Sequence, residues 1–180
     1  MGNIFTALWH TPFTVDYDKI PTYEEIEAVK AKYKPKGYVG TPLFEAAVSN
    51  DIESVSILLR SGEFKVTDSF PPDGMDTLKM VIACSNDPEL IDVLLKAPGG
   101  MECLNAPNDD GWTPLHYAAL RDSVYTKLLL SYEGINVWLE NKNGDTALDL
   151  AQRFQSKEII QLLKLVPEEV NYELKTILKF

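Results

Sequence analysis

The amino-acid sequence predicts an all-α solenoid in which a short helix–turn–helix unit is repeated about four times. A nine-residue phrase that begins at Gly111 and contains Thr-Pro-Leu-His has weaker copies around Leu43, Leu78 and Leu148. Together with Leu115, the matching leucines are separated by 35, 37 and 33 residues, a period typical of stacked repeats. An apolar segment follows each copy about a dozen residues later, as a second helix of each unit requires.

The repeated phrase has a direct physical interpretation. Glycine allows a tight turn, threonine before proline can cap a helix, and proline in the first helical turn loses no hydrogen bond. The small Ala118 and Ala119 let a second helix pack closely. Each unit is therefore predicted to contain two short helices and a loop rich in Gly and Asp. Neither helix buries its apolar face alone, so neighbouring units must stabilise each other.

This pattern resembles the ankyrin repeat family over about residues 40–166. The third unit matches best, because the Thr-Pro-Leu-His segment at residues 113–116 is intact. The second unit departs most, because Asp-Thr-Leu-Lys at residues 76–79 lacks both the proline and the histidine. The resemblance implies a solenoid with β-hairpin-like loops and four units, at residues 40–72, 73–109, 110–142 and 143–166.

The N-terminal arm, residues 1–39, differs from the repeats because it is rich in aromatic side chains, which disordered tails usually lack. A capping box from Thr22 to Glu25 and a stop at Pro35 predict one short helix. Residues 20–40 are expected to cover the open end of the first unit. The preceding residues are expected to be extended and to dock on a partner through four aromatic anchors: Phe5, Trp9, Phe13 and Tyr17.

The segment at residues 167–180 is predicted to form a C-terminal capping helix. Val170, Leu174 and Ile177 follow the helical period and would place their side chains on one face. The helix is expected to seal the apolar side of the fourth unit. Insertion into a groove of a partner protein is the alternative.

The charge of the chain is unevenly distributed. The formal net charge is −10, and residues 1–40 contain five acids and five lysines, so the whole excess lies after residue 40, almost all of it on the repeats. Such a surface repels phosphates and anionic lipids, which argues against nucleic-acid binding through the repeats. No apolar run reaches 18 residues, and Cys84 and Cys103 suggest neither a disulfide framework nor a metal site. These features favour a cytoplasmic location, including a place in a large cytosolic, cytoskeletal or organellar complex.

The first six residues fit the pattern for N-myristoylation, with Gly2 exposed after removal of Met1 and Thr6 in the expected place. One myristoyl chain binds membranes only marginally without a second signal. A membrane-tethered regulator is therefore one alternative function, with peripheral membrane contact only if Gly2 is acylated.

Motifs for catalysis are missing from the sequence. It has no Gly-rich phosphate loop, no Cys/His metal spacing and no serine nucleophile elbow. One of the two histidines, His116, belongs to the Thr-Pro-Leu-His segment, and the resemblance implies that it joins turns through hydrogen bonds. We therefore expect a protein that is not an enzyme and needs no cofactor.

The resemblance further implies that a partner protein binds the concave surface, which consists of loop tips and first helices. The exposed positions there are expected just before the threonine and just after the histidine of each phrase. The predicted partner-binding set is Met75, Met80, Trp112, Tyr117, Asp110 and Asp145. An apolar centre with an acidic rim is typical of an interface, and would favour a partner with a basic or mixed apolar-basic surface. The predicted function is a protein–protein interaction module, an adaptor or scaffold; the alternative is an accessory subunit anchored in a large cytoskeletal or organellar assembly by its N-terminal arm.

Overall fold

The computed structural model describes residues 15–33, 41–70, 73–85 and 87–166. Within those ranges the chain forms nine α-helices, two short strands and one 3₁₀ helix at Gly100–Cys103. The helices are α1 Tyr23–Lys32, α2 Pro42–Val48, α3 Ile52–Arg60, α4 Thr77–Cys84, α5 Pro88–Lys96, α6 Pro114–Arg121, α7 Ser123–Leu130, α8 Ala147–Arg153 and α9 Lys157–Lys164. The strands are β1 Ser69–Phe70 and β2 Met75–Asp76.

The helices stack in two layers, as the predicted all-α solenoid requires. The first helices of the four units, α2, α4, α6 and α8, pack on one another in chain order. The second helices, α3, α5, α7 and α9, form the other layer in the same order. Leucines between the layers, such as Leu58, Leu94 and Leu115, are at most 1% exposed. Each unit therefore buries its apolar face against its neighbours.

Each first helix begins after an equivalent N-cap residue: Thr41, Asp76, Thr113 or Thr146. The Thr41 hydroxyl accepts a hydrogen bond from the backbone N–H of Phe44 at 3.2 Å, and the Asp76 carboxylate accepts one from that of Lys79 at 2.9 Å. Because the four helices start in the same register, residues at equal distances from their caps lie on the same face of the layer.

The loops between units are hairpin-like. Strands β1 and β2 pair antiparallel between the first and second units. In the next loop, the Asn108 N–H donates to the Trp112 carbonyl at 2.9 Å, and in the following one the Asn141 N–H donates to the Asp145 carbonyl at 3.0 Å. The β-hairpin-like loops expected from the sequence are therefore present at all three junctions, with a two-residue ladder only at the first.

Neighbouring loops are joined by single backbone hydrogen bonds. The Asp109 N–H donates to the Asp73 carbonyl at 2.9 Å, and the Lys142 N–H donates to the Asp110 carbonyl at 3.0 Å. Gly111 allows this close approach, because its φ is 81° and a Cβ there would lie 2.9 Å from the Lys142 nitrogen. The loops thus form one continuous edge that leads into the first helices.

The described part of the N-terminal arm packs on the second-helix layer. Helix α1 lies against α3 and buries Ile26 and Val29. The Tyr33 hydroxyl donates to the Asp51 carboxylate at 2.7 Å. Burial of Asp51 would raise its pKa, but hydrogen bonds from Lys32, the Ser54 backbone and Tyr33 outweigh that effect and hold the pKa well below its usual range.

Tyr17 also contacts the chain's own helices. Its hydroxyl donates to the Val93 carbonyl of α5 at 2.5 Å, and Arg60 of α3 donates to the Lys19 carbonyl at 2.9 Å. The sequence suggested Tyr17 as an anchor on a partner, whereas here it anchors the arm to α5. The other anchors, Phe5, Trp9 and Phe13, the acylation candidate Gly2 and the capping helix at residues 167–180 lie outside the described residues.

Helices of the described ranges are all too short, or too polar, to cross a bilayer.

Candidate protein-binding surface

The first-helix surface consists of the loop edge and the outward faces of α2, α4, α6 and α8, and corresponds to the concave side that the resemblance implies. Trp112 and Tyr117 form an aromatic pair there, with ring centroids 5.3 Å apart and planes tilted by 49°. Both side chains are half-buried, as is Met80 at the position of α4 equivalent to Tyr117. Asp110 is exposed beside the aromatic pair in the same loop. Four of the six predicted residues therefore share this surface.

The other two predicted residues occupy different environments and correct the sequence-based expectation. Met75 is only 8% exposed, because it lies in β2 and its side chain packs inward. Asp145 is 9% exposed, and its carboxylate accepts hydrogen bonds from both terminal nitrogens of Arg153, at 2.5 and 3.1 Å. Met75 therefore adds no exposed apolar area, and the charge of Asp145 is already paired.

Asn108 organises the loop that carries the aromatic pair. Its side-chain oxygen accepts from the backbone N–H groups of Asp110 at 3.0 Å and Trp112 at 2.8 Å. Its amide nitrogen donates to the Tyr117 hydroxyl at 3.1 Å. One buried side chain thus holds the Tyr117 hydroxyl, the Trp112 backbone and the acidic loop tip in place. The sequence analysis missed this residue.

A recurring asparagine was the available signal. Asn141 lies five residues before Thr146, as Asn108 lies five before its own N-cap, and accepts from the Asn143 and Asp145 N–H groups at 2.9 and 3.1 Å. Leu150 replaces the tyrosine in this unit, so no described atom accepts from the Asn141 amide nitrogen. The complete network therefore exists only around the aromatic pair.

His116 has the linking role that the resemblance implies. Its Nδ1 accepts from the Thr113 backbone N–H at 3.0 Å, so the ring proton is on Nε2, which donates to the Asp145 carbonyl at 3.0 Å. The ring is 1% exposed, and burial lowers its pKa. The histidine therefore ties the third unit to the fourth in its neutral form.

This burial predicts a pH-dependent loss of stability. The folded pKa of His116 is below the ordinary value of about 6.5, so unfolding takes up a proton between those two values. The contribution of His116 is complete above about pH 6.5 and is lost as the pH falls towards the folded pKa. We expect the stability advantage of the natural protein over His116→Gln, measured by urea unfolding, to shrink from about pH 7.5 to about pH 5. A constant difference across that range would contradict the assignment.

The surroundings of the aromatic pair are acidic. Burial raises the pKa of Tyr117 to about 12, and the carboxylates of Asp73, Asp110 and Asp76 add to the rise. Asp73 and Asp110 form no ion pair with any described residue, whereas Asp76 is paired with Lys79. The two unpaired carboxylates leave a negative potential over half-exposed aromatic rings.

Lys79 explains how the second unit works without its histidine. Its side chain is 1% exposed, forms an ion pair with Asp76 and donates to the Ala106 carbonyl of the next loop at 3.0 Å. Lys79 and Asp76 occupy the positions of His116 and Thr113 one unit earlier. The Asp–Lys pair therefore takes the place of the Thr–His pair and holds the loop that leads to the third unit.

No cluster of three or more His, Cys, Asp and Glu side chains in the described ranges is arranged to hold a metal ion. The features of this surface are typical of recognition: an aromatic pair, a methionine, and carboxylates that form no ion pair with a described residue.

Comparison with known proteins matches residues 78–175 to the family of ankyrin repeats, in three copies. The chain is 26% identical over 141 residues to the tyrosine-protein kinase HTK16 of Hydra vulgaris, covering 77% of this chain and 18% of the kinase. It is 34% identical over 82 residues to ZDHHC13 of Danio rerio, a proposed palmitoyltransferase, covering 46% and 12% of the two chains. It is 31% identical over 116 residues to XBAT34 of Arabidopsis thaliana, a proposed E3 ubiquitin-protein ligase, covering 61% and 28%. The chain thus spans less than a third of each relative.

Proposed function

This chain belongs to the ankyrin repeat family, and from that premise we propose that it is an adaptor that holds a partner protein on its first-helix surface. Ankyrin repeats are protein–protein interaction modules and are generally not catalytic. The observation that carries the proposal is the aromatic pair of Trp112 and Tyr117, which Asn108 holds half-exposed at the loop edge. Rigid aromatic side chains are frequent anchors of protein interfaces.

The partner is proposed to have a basic or mixed apolar-basic surface. Asp73 and Asp110 lie near the aromatic pair without an ion pair among the described residues. Lys142, in the next loop, donates its backbone N–H to the Asp110 carbonyl, and its side chain forms no ion pair with a described carboxylate. Carboxylates at the rim of an apolar centre accelerate encounter with a basic partner and make the association salt-sensitive.

A second contact through the N-terminal arm is part of the proposal. Tyr17 and Lys19 form hydrogen bonds with α5 and α3, which belong to the second-helix layer. Val15, where the described part of the arm begins, packs against the core near α5 and therefore lies away from the first-helix surface. Phe5, Trp9 and Phe13 precede that point and would supply the second contact. An accessory subunit of a large assembly, anchored mainly by these residues, is the alternative, and both roles fit a cytoplasmic location.

We expect the double substitution Trp112→Ala and Tyr117→Ala to weaken partner binding by at least about 2 kcal/mol. The reason is that both anchors of the proposed interface are removed. The measurement is isothermal titration calorimetry with the partner captured from the native source and identified by mass spectrometry. Since Tyr117 also receives the Asn108 hydrogen bond, Trp112→Ala alone is the second variant, and it should account for at least about 1 kcal/mol.

The control for these variants is Tyr23→Ala, which removes a 75% exposed aromatic side chain at the start of α1, on the second-helix layer, and should leave affinity unchanged. Circular dichroism and urea unfolding verify that each variant is folded. Unchanged affinity in a folded Trp112→Ala protein would reject the aromatic pair as the anchor.

Deletion of residues 1–14 separates the adaptor from the accessory subunit. The deletion stops before Val15, so that the contacts of Tyr17 and Lys19 with α5 and α3 remain. An adaptor keeps its partner on the first-helix surface after the deletion, whereas an accessory subunit no longer co-purifies with its assembly.

The intact mass of the native protein tests the further proposal of a myristoyl group on Gly2.

A further inference from the structure

An apolar row crosses the first-helix surface at equivalent positions of three units. Val48, Ala83 and Leu120 each lie seven residues after the N-cap of their helix and are all exposed, with Val48 at 42% and Leu120 at 39%. In the fourth unit the same position is Arg153, which pairs with Asp145. The apolar row therefore begins in α2 and ends before α8.

The spacing of this row favours one kind of backbone. Packed helices lie roughly 8–10 Å apart, so the row presents an apolar side chain about every 8–10 Å. On an α-helix, residues seven positions apart share a face and are separated by about 10.5 Å. On a β-strand, residues of one face recur about every 7 Å and then at about 13 Å. At a spacing of about 10 Å between neighbouring first helices, the seven-residue step of an α-helix follows the row more closely than either step of a β-strand.

The charge beside the row indicates what flanks the apolar face of such a helix. Tyr117 lies on α6 three residues before Leu120, one helical turn away, and Trp112 packs against it. A cation over an aromatic ring within about 6 Å is attracted by the ring face. Asp73 and Asp110 reinforce that attraction, because neither is neutralised by a described residue.

We infer that the first-helix surface accepts an amphipathic α-helix of a partner protein, whose apolar side chains recur every seven residues and whose edge carries a lysine or arginine that lies against Trp112 and Asp110. The inference rests on the proposed function and specifies the partner's chemistry. The apolar side chains contact Val48, Ala83 and Leu120, and the cation provides the register along the row.

Selection from a phage-displayed library of random 18-residue peptides tests this inference on the full-length protein. The expected result is enrichment of peptides with apolar residues at i, i+7 and i+14 and at least one Lys or Arg, which become helical when bound. Leu120→Ser should weaken a selected peptide by about tenfold, and Asp110→Asn by about threefold with a smaller salt dependence. The matched controls are Ile20→Ser, at an 81% exposed apolar site on the arm, and Glu133→Gln, at an exposed acid after α7.

The outcomes separate the inference from the function on which it rests. Peptides that lose binding in Trp112→Ala but show neither the seven-residue pattern nor a basic residue would overturn the inference and leave the adaptor role intact. Peptides that bind equally to Trp112→Ala and Leu120→Ser would overturn both, because they would occupy another face.

Discussion

Replacement of Lys79 by methionine is expected to lower the free energy of unfolding by about 3–5 kcal/mol, because it leaves the buried Asp76 carboxylate without its counter-charge. Asp76 is 4% exposed and caps α4, so it cannot move into water without giving up the start of that helix. The Ala106 carbonyl also loses its donor. Urea unfolding followed by circular dichroism measures the loss.

The control for this prediction is Lys157→Met, because that lysine is exposed at the start of α9 and forms no ion pair with a described residue. Its substitution should change stability by less than about 0.5 kcal/mol. A loss below about 1 kcal/mol for Lys79→Met would show that the ion pair adds little to the stability of the second unit and its loop to the third.

The double substitution Asp76→Thr and Lys79→His tests whether the two links are equivalent. It places in the second unit the residues that Thr113 and His116 provide in the third, and it removes both buried charges. We expect the double variant to recover at least half of the stability lost in Lys79→Met. A double variant as unstable as the single one would show that the Asp–Lys pair depends on local packing that histidine cannot reproduce.

The two-layer fold was predictable because its signals are local. The leucines at the repeat period, such as Leu43, Leu78 and Leu115, lie fifth in each phrase and are at most 1% exposed. Cap residues two positions earlier set the helix register by hydrogen bonds within one turn. These features act within one unit and do not depend on contacts with distant residues. The pattern of the third unit was therefore enough to predict the helices of the other units.

The surface was harder to predict because it depends on contacts between residues distant in sequence. Trp112, Met75 and Asp145 each precede a helix cap, yet only Trp112 remains half-exposed. Arg153, eight residues after Asp145, forms an ion pair with its carboxylate, so Asp145 does not offer a free charge to a partner as the sequence predicted. The sequence showed that Lys79 departs from the repeat pattern, but it did not predict that the side chain is buried. The burial depends on a hydrogen bond to the Ala106 carbonyl, 27 residues later.

Substitution of Gly100 by alanine is expected to destabilise the protein by about 3 kcal/mol or more, through overpacking against a backbone that has little freedom to yield. Gly100 begins the 3₁₀ helix that follows α5, and its N–H donates to the Ala97 carbonyl at 2.8 Å. A Cβ built at this position would lie 2.0 Å from the Leu94 carbonyl oxygen and 2.8 Å from that of Leu95. Both carbonyls belong to the last turn of α5, whose leucines are buried in the core.

Gly62→Ala and Gly134→Ala are the matched controls for the effect of crowding, because a Cβ at either site has no heavy atom within 4 Å. Both glycines have positive φ, 74° and 86°, so alanine there is expected to cost about 1 kcal/mol through backbone strain alone. Gly100 has no positive φ, so its larger loss would report the contact with α5 and not backbone conformation. If Gly100→Ala is no less stable than these controls in urea unfolding, the turn after α5 can move away from the helix. The segment that joins α5 to the loop of Asn108 would then be less rigid than its packing indicates.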